Sequence, residues 1–282
     1  MKILVTGATG FIGNYVINEL LKYDVEIIAT SLSEEKARQQ TWFQNVQYIS
    51  FNFKQFDALT NYFLFFNQPD IVIHLTWEGL PNYKALFHTE INLPVHKALL
   101  ENFIKNGLKN ITVAGTCLEY GMQEGCLSED LQTFPLSNYA IAKDELRKYL
   151  EQLQEQYSFS LKWVRLFYMF GKGQNPNALL SQLDRALQNG DTIFNMSGGE
   201  QVRDYLPVKV VAEIIVKLAL QCKVEGAINC CSGKPVSVKN FVENYLHEMG
   251  KNIKLNFGYY PYTDYEPMHF WGSTKKLKEA LS

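Results

Sequence analysis

Residues 4–13 read Leu-Val-Thr-Gly-Ala-Thr-Gly-Phe-Ile-Gly, close to the start of the chain. An apolar run leads into Gly7, Gly10 and Gly13, and apolar residues at helical spacing follow as far as Leu21. This order predicts a strand, a glycine turn and a helix, whose N-terminus would attract a pyrophosphate through free N–H groups and its dipole. The GxxGxxG spacing differs from the commoner GxGxxG, so a βα turn without a ligand is the alternative.

The rest of the first half repeats the alternation of strand and helix. Continuous apolar runs such as residues 71–75 are typical of strands that are buried on both faces. The alternation predicts an α/β fold of the Rossmann type, with a doubly wound parallel sheet, right-handed crossovers and ligands beyond the carboxyl ends of the strands. The predicted strands are residues 2–5, 25–29, 47–51, 71–75, 111–114 and 161–166, and the predicted helices are residues 12–22, 33–40, 55–66, 89–106 and 138–156.

The pattern changes after about residue 166, where glycines and prolines divide the chain into short pieces. We therefore predict a dinucleotide-binding Rossmann domain at residues 1–166 and a smaller C-terminal substrate-binding lobe at residues 167–282. The boundary is approximate, and segments of the two units can interleave.

Composition narrows the classes of function. The net charge of −2 over 282 residues gives no general attraction for nucleic acid or an anionic membrane. No apolar run approaches the ~18–20 residues that span a bilayer, and the N-terminus does not resemble a signal peptide, so a cytoplasmic protein is expected. The five cysteines are odd in number and lack CxxC spacing, which predicts reduced thiols and no metal site.

A second chemical signal is Tyr139-Ala-Ile-Ala-Lys143, at the start of a predicted amphipathic helix. Residues at positions i and i+4 share a helix face, and a nearby ammonium favours a phenolate. The pair could therefore tune Tyr139 for general acid/base work, although a solvated helix face gives the same spacing. Thr116 follows the strand at residues 111–114 and could hydrogen-bond a substrate oxygen beside Tyr139, or it could be a simple turn residue.

Together these features resemble the extended short-chain dehydrogenase/reductase family, also called the NAD-dependent epimerase/dehydratase family. The segment Thr6–Gly13 is similar to the family's cofactor fingerprint, and Thr116, Tyr139 and Lys143 match its catalytic Ser/Thr, Tyr and Lys. The segment from residue 201 to residue 206 resembles the one whose arginine grips the diphosphate of a sugar nucleotide, here Arg203. Tyr168 departs from the family pattern, because asparagine is usual at that position.

The resemblance implies a nicotinamide cofactor, a nucleotide-sugar substrate and a catalytic set of Thr116, Tyr139 and Lys143. In this interpretation Tyr139 exchanges the proton of the sugar oxygen, Lys143 holds the nicotinamide ribose and lowers the pKa of Tyr139, and Thr116 orients the sugar. We expect cofactor contacts from Gly7, Thr9, Gly10, Phe11, Ile12, Gly13, Ser31, Asn52, Phe53, Leu75, Tyr139 and Lys143. We expect substrate contacts from Trp77, Glu78, Thr116, Cys117, Asn177 and Arg203, with Trp77 alternatively a core residue.

Three functions remain open at this stage. Family dehydratases carry two acids after the threonine, where this chain has Cys117 and Leu118. Because leucine cannot transfer a proton, 4,6-dehydration is not expected. A ketoreductase of a nucleotide-linked 4-keto-6-deoxyhexose is favoured, since residues 77–81 and 117–125 resemble deoxysugar reductases of surface-polysaccharide pathways, including dTDP-4-keto-6-deoxyglucose reductases. A 4-epimerase that retains NAD is the alternative, and a catalytically silent Rossmann module is the third.

The coenzyme prediction rests on the tip of the second strand. NAD-binding proteins usually place an acid there for the ribose 2′-hydroxyl, whereas residues 29–33 contain none. Ser31 could instead accept a 2′-phosphate, with help from Lys36 or Arg38, so NADP(H) is favoured and NAD(H) stays possible. The helices at residues 89–106 and 138–156 could also pair two copies into a homodimer, or their apolar sides could face the sheet.

Overall fold

The computed structural model describes all 282 residues. The strands are β1 Lys2–Thr6, β2 Glu26–Ser31, β3 Gln47–Ser50, β4 Ile71–His74, β5 Asn110–Thr116, β6 Gly125–Leu127, β7 Ser160–Leu166, β8 Tyr168–Phe170, β9 Ile193–Asn195, β10 Val202–Pro207, β11 Gly226–Cys230, β12 Pro235–Ser237, β13 Lys254–Asn256 and β14 Phe270–Gly272. The α-helices are α1 Phe11–Leu20, α2 Glu34–Arg38, α3 Tyr62–Phe65, α4 Leu93–Lys105, α5 Asn138–Leu153, α6 Leu179–Asn189, α7 Val208–Leu220, α8 Val238–Glu248 and α9 Lys275–Leu281.

The centre of the molecule is a seven-stranded sheet in the order β11-β7-β5-β4-β1-β2-β3. All six neighbouring pairs are parallel, so the predicted doubly wound Rossmann-type sheet is confirmed. The order reverses beside β1, because β2 and β3 lie on one side of it and β4, β5 and β7 on the other. This reversal opens a crevice at the carboxyl ends of β1 and β4, where ligands bind in open α/β sheets.

Each face of the sheet carries its own apolar layer. Helices α1 and α7 pack over one face in a cluster of 28 buried residues. Helices α3, α4 and α5 cover the other face in a cluster of 21 buried residues. Two covered faces explain why the central strands read as continuous apolar runs and show no alternation.

The helix predicted at residues 55–66 is wrong over most of its length, because only Tyr62–Phe65 is α-helical. The Asp57 carboxylate accepts hydrogen bonds from the Leu59 N–H at 3.0 Å and the Thr60 hydroxyl at 3.1 Å. Asn61 then caps the short helix by accepting from the Leu64 N–H. These side-chain hydrogen bonds offer the backbone a turn that competes with the helix.

The second half of the chain does not form a separate block after residue 166. Helix α7 and strand β11 return to the central sheet, while α6 and α8 build a third apolar cluster of nine buried residues with β9. A division into a Rossmann domain and a substrate lobe therefore stays a proposal, and it requires interleaved segments. None of the helices is both long enough and apolar enough to cross a membrane.

Candidate active site

The glycine turn forms a tight backbone cradle between β1 and α1. Gly7 has a positive φ of 70°, and a Cβ placed there would lie 3.0 Å from the Thr76 backbone nitrogen. A Cβ on Gly13 would lie 2.2 Å from the Gly7 carbonyl oxygen. Gly10 is the N-cap of α1 and supplies no side-chain cap, and the first turn of α1 carries no acidic residue. This open helix N-terminus fits the pyrophosphate of a dinucleotide.

The catalytic candidates lie together at the carboxyl end of β5. Thr116 is the last residue of β5, and Tyr139 and Lys143 lie in the first two turns of α5, whose N-cap is Ser137. The Lys143 Nζ donates to the Ala114 carbonyl oxygen at 2.9 Å, which ties α5 to β5. All three candidate side chains are buried. The structure thus brings together the three residues that the sequence singled out.

The electrostatics of Tyr139 differ from the sequence-based expectation. Burial raises the pKa of its phenol well above the ordinary value, and the neighbouring Thr116 hydroxyl opposes this rise. Lys143 is not among the main causes of the shift, so burial outweighs any lowering of the Tyr139 pKa by Lys143 in this structure. Burial also lowers the pKa of Lys143 to about 7, although Glu119 acts in the opposite direction. Tyr139 is therefore a phenol that can donate a proton at neutral pH.

Glu119 is a buried carboxylate that the functional interpretation of the sequence missed. Its oxygens accept from the Thr116 N–H at 2.9 Å, the Trp163 indole N–H at 2.9 Å and the Arg165 Nε at 2.8 Å. It sits in a capping box in which the Thr116 hydroxyl accepts from the turn that follows β5. The Thr-x-x-Glu spacing is the signal that could have identified it. Glu119 fixes the backbone from which Thr116 faces the crevice.

Aromatic rings surround the Tyr139 phenol. The ring centroids of Trp77 and Tyr83 lie 6.0 Å and 5.5 Å from that of Tyr139. Cys117 lies buried beside them, and burial raises the pKa of its thiol. Glu78, in contrast, forms an ion pair with Lys54 at 2.7 Å. Trp77 and Cys117 thus adjoin the catalytic set, while the Glu78 carboxylate is engaged elsewhere.

The two residues predicted to anchor phosphates behave differently from each other. The Arg203 guanidinium is buried, pairs with Glu266 at 3.0 Å and donates to the Met268 carbonyl oxygen at 3.1 Å. Asn177 is exposed in the loop before α6, and no hydrogen bond joins it to Arg203. Glu266 is a second residue that sequence reasoning missed, since it lies 63 positions from Arg203. The phosphate-binding roles of Arg203 and Asn177 stay predictions.

The remaining cofactor candidates lie at or just after the carboxyl ends of β1, β2, β3 and β4. The Leu75 N–H donates to Thr6 Oγ1 at 3.2 Å, directly beneath the glycine turn. Phe53 is buried among the rings of His74 and His96, and Asn52 caps the short turn that carries it. Thr9, Phe11 and Ile12 belong to the turn and the start of α1, and Ser31 is the last residue of β2. No cluster of three or more His, Cys, Asp or Glu side chains could hold a metal ion.

Comparison with known proteins places this geometry in a family. Residues 3–231 match the model of the NAD dependent epimerase/dehydratase family. The chain is 28% identical over 279 residues to dTDP-6-deoxy-L-talose 4-dehydrogenase (NAD(+)) of Aggregatibacter actinomycetemcomitans, covering 97% of this chain and 100% of the relative. It is 28% identical over 294 residues to GDP-6-deoxy-D-talose 4-dehydrogenase of the same organism, covering 100% of this chain and 91% of the relative.

A solved structure shows the same fold over the whole chain. UDP-glucuronic acid 4-epimerase of Bacillus cereus, in complex with UDP-glucuronic acid and NAD, superposes with a TM-score of 0.84 at 23% identity, covering 100% of this chain and 93% of the other. The family match spans the glycine turn, β5 and the Tyr139–Lys143 helix, and it confirms the resemblance read from the sequence. The chain therefore belongs to the NAD-dependent epimerase/dehydratase family of enzymes.

Proposed function

We propose that this protein reduces the 4-ketone of a nucleotide-linked 6-deoxyhexose with a reduced nicotinamide coenzyme. The observation that carries the proposal is the Tyr139 phenol, which is buried beside Thr116. The raised pKa of this phenol means that it keeps the proton that a ketone oxygen must receive. The two curated dehydrogenases support the same chemistry, because oxidation of a 4-hydroxyl is the reverse of reduction of a 4-ketone.

Each catalytic side chain has a defined task in this proposal. Tyr139 donates its phenolic proton to the carbonyl oxygen, and Thr116 holds that oxygen by a hydrogen bond. Lys143 holds the nicotinamide ribose, and the open N-terminus of α1 holds the pyrophosphate. When bound, the coenzyme supplies the hydride that the sugar carbon receives, so that the ketone becomes an alcohol and the reduced coenzyme becomes oxidised.

We propose NAD(H) as the coenzyme, in place of the NADP(H) preference derived from the sequence. The Ser31 hydroxyl lies 2.9 Å from the Tyr48 hydroxyl, so it is already hydrogen-bonded. Arg38 forms an ion pair with Glu34 and lies over the Phe43 ring, which leaves its charge partly compensated. A 2′-phosphate would therefore compete with the contacts that Ser31 and Arg38 already make, and the NAD named for both the curated relative and the solved neighbour agrees with this.

The test is direct incubation of the purified protein with dTDP- and GDP-linked 4-keto-6-deoxyhexoses and either NADH or NADPH. We expect loss of the reduced-nicotinamide absorbance, with appearance of the 6-deoxyhexose by NMR. The Tyr139→Phe variant is the matched control, because it removes one hydroxyl and keeps the ring. Faster turnover with NADPH than with NADH would overturn the coenzyme proposal alone.

A nucleotide-sugar 4-epimerase is the second candidate, favoured by the whole-chain likeness to the Bacillus cereus fold. An epimerase must both remove and return the proton of the C4 oxygen, so Tyr139 would act first as a base and then as an acid, whereas the reductase needs only the acid step. Inversion of a nucleotide hexose at C4 without consumption of added coenzyme would select this function over the reductase.

A further inference from the structure

Lys143 has an unusual neighbour for a buried ammonium. Its Nζ lies 4.0 Å from the centroid of the Trp77 ring, and its one hydrogen-bond acceptor is the Ala114 carbonyl oxygen at 2.9 Å. No carboxylate lies within ion-pair distance of this nitrogen. The indole face therefore takes the place that a counter-ion would occupy. Unlike a carboxylate, it attracts the charge without occupying the remaining N–H donors, which stay free for a ligand.

The indole itself is held on two sides. Its face stacks on His96, with ring centroids 4.8 Å apart and an interplanar angle of 15°. Its N–H donates to His88 Nδ1 at 3.0 Å, so the proton of the neutral His88 ring is on Nε2, which donates to the Asn82 carbonyl oxygen at 3.0 Å. Trp77 follows β4 in a loop, and these contacts explain how a loop residue keeps a fixed ring plane.

His96 is oriented in turn by a hydrogen-bonded chain that starts at β1. Thr6 Oγ1 accepts from the Leu75 and Thr76 N–H groups, so its own proton points to His74 Nδ1 at 2.9 Å. His74 Nε2–H then donates to His96 Nδ1 at 2.9 Å. Burial lowers the pKa of both imidazoles, which keeps the chain neutral beside Lys143.

We propose that Trp77 is a positioning residue for Lys143: its indole face holds the ammonium charged and aims its free N–H groups into the cofactor crevice. The inference rests on the proposed function only in taking Lys143 as the group that holds the nicotinamide ribose. Trp77 thereby acts through Lys143, and not only as a wall of the sugar pocket.

Other titratable groups also surround Lys143, and their charge states decide whether a change of NADH binding with pH can be assigned to Lys143. They are Glu119 after β5, His74 on β4, His88 and His96 before and within α4, and Tyr139 on α5. The histidines have lowered pKa values and Tyr139 a raised one, so all four stay neutral near pH 7. Lys143, with a pKa of about 7, is the group whose charge changes in that range.

The experiment measures the dissociation constant of NADH at about pH 6 and about pH 8 for the wild type, Trp77→Phe and Trp77→Leu. Loss of the indole lowers the Lys143 pKa, and a fall of about one unit would make Trp77→Leu bind NADH about tenfold more weakly at the higher pH but only about twofold more weakly at the lower pH, where about half of the variant's ammonium is still charged. Trp77→Phe keeps a π face and should lie between the two. In the Lys143→Met background, Trp77→Leu should have no pH-dependent effect.

The matched control is Trp42→Phe, since Trp42 is buried where Trp77 is half-buried, and it too donates its indole N–H to one side chain, Asn14, but carries no cation on its face. Thermal unfolding reports the fold of each variant. If Trp77→Leu does not fold, the test rests on Trp77→Phe. The proposal then requires that this variant's binding of NADH weakens more at high pH than at low pH. Equal weakening at both pH values would overturn the proposal and leave a packing role. Because the readout is cofactor binding, it succeeds or fails independently of any sugar substrate.

Discussion

Replacing Glu119 by glutamine is expected to destabilise the protein strongly while changing only one atom of the side chain. The Glu119 side chain is 0% exposed and forms an ion pair with Arg165, which is 2% exposed, at 2.8 Å. Glutamine keeps one carbonyl oxygen for the Thr116 and Trp163 N–H groups but presents an NH2 group to the guanidinium. Breaking a buried pair by removing one partner costs about 3–5 kcal/mol, because the other charge is left uncompensated.

The size of the effect can be converted into a melting temperature. Unfolding entropies of roughly 2 cal/mol/K per residue give about 2 °C per kcal/mol for a chain of this length, so Tm should fall by about 6–10 °C. The matched control is Glu101→Gln, because Glu101 pairs with Lys105 at 2.6 Å but is 28% exposed. Surface pairs contribute about 0–1 kcal/mol, so Tm should change by about 2 °C or less. If differential scanning calorimetry gives Glu119→Gln the same melting temperature as Glu101→Gln, the reasoning is refuted.

Three further outcomes are expected. Tyr139→Phe should lower kcat by about 10²–10⁴-fold and leave the dissociation constant of NADH unchanged by calorimetry, and retention of more than a tenth of the activity would contradict its role as proton donor. Gly13→Ala should abolish NADH binding or destabilise the fold, since its Cβ would lie 2.2 Å from the Gly7 carbonyl oxygen, and normal binding at normal Tm would contradict the cradle. Burial lowers the pKa of His96 to about 3, so the unfolded chain gains a proton first as the pH falls below about 6.5. Urea unfolding should therefore show the free energy of unfolding of the wild type falling by about 1.6 kcal/mol more than that of His96→Gln between about pH 6.5 and about pH 5, and parallel losses would contradict a neutral buried His96.

The sequence was most informative where one local rule determines the structure. The glycine turn, the buried strands and the order of elements followed from periodicity and from residues with special backbone geometry, and the observed sheet agrees with them. The segment at residues 55–66 shows the limit, because its apolar spacing suits a helix while the Asp57 side chain favours a turn.

The electrostatics of the site depend on contacts that spacing along the chain does not encode. The i, i+4 relation of Tyr139 and Lys143 was correct as geometry, yet burial dominates the pKa of the phenol. The pair of Arg203 and Glu266 and the stack of Trp77 on His96 join segments that are distant in sequence. Only the fold reveals that these side chains meet.

The most direct test of the central proposal is the stoichiometry between coenzyme and product. Purified protein is mixed with a nucleotide-linked 4-keto-6-deoxyhexose and a limiting amount of NADH, and both oxidised coenzyme and reduced sugar are quantified. The proposal predicts one 6-deoxyhexose formed for each NADH consumed, with the rate lowered about 10²–10⁴-fold in Tyr139→Phe. Inversion of a nucleotide hexose at C4 with the added NADH untouched would contradict it.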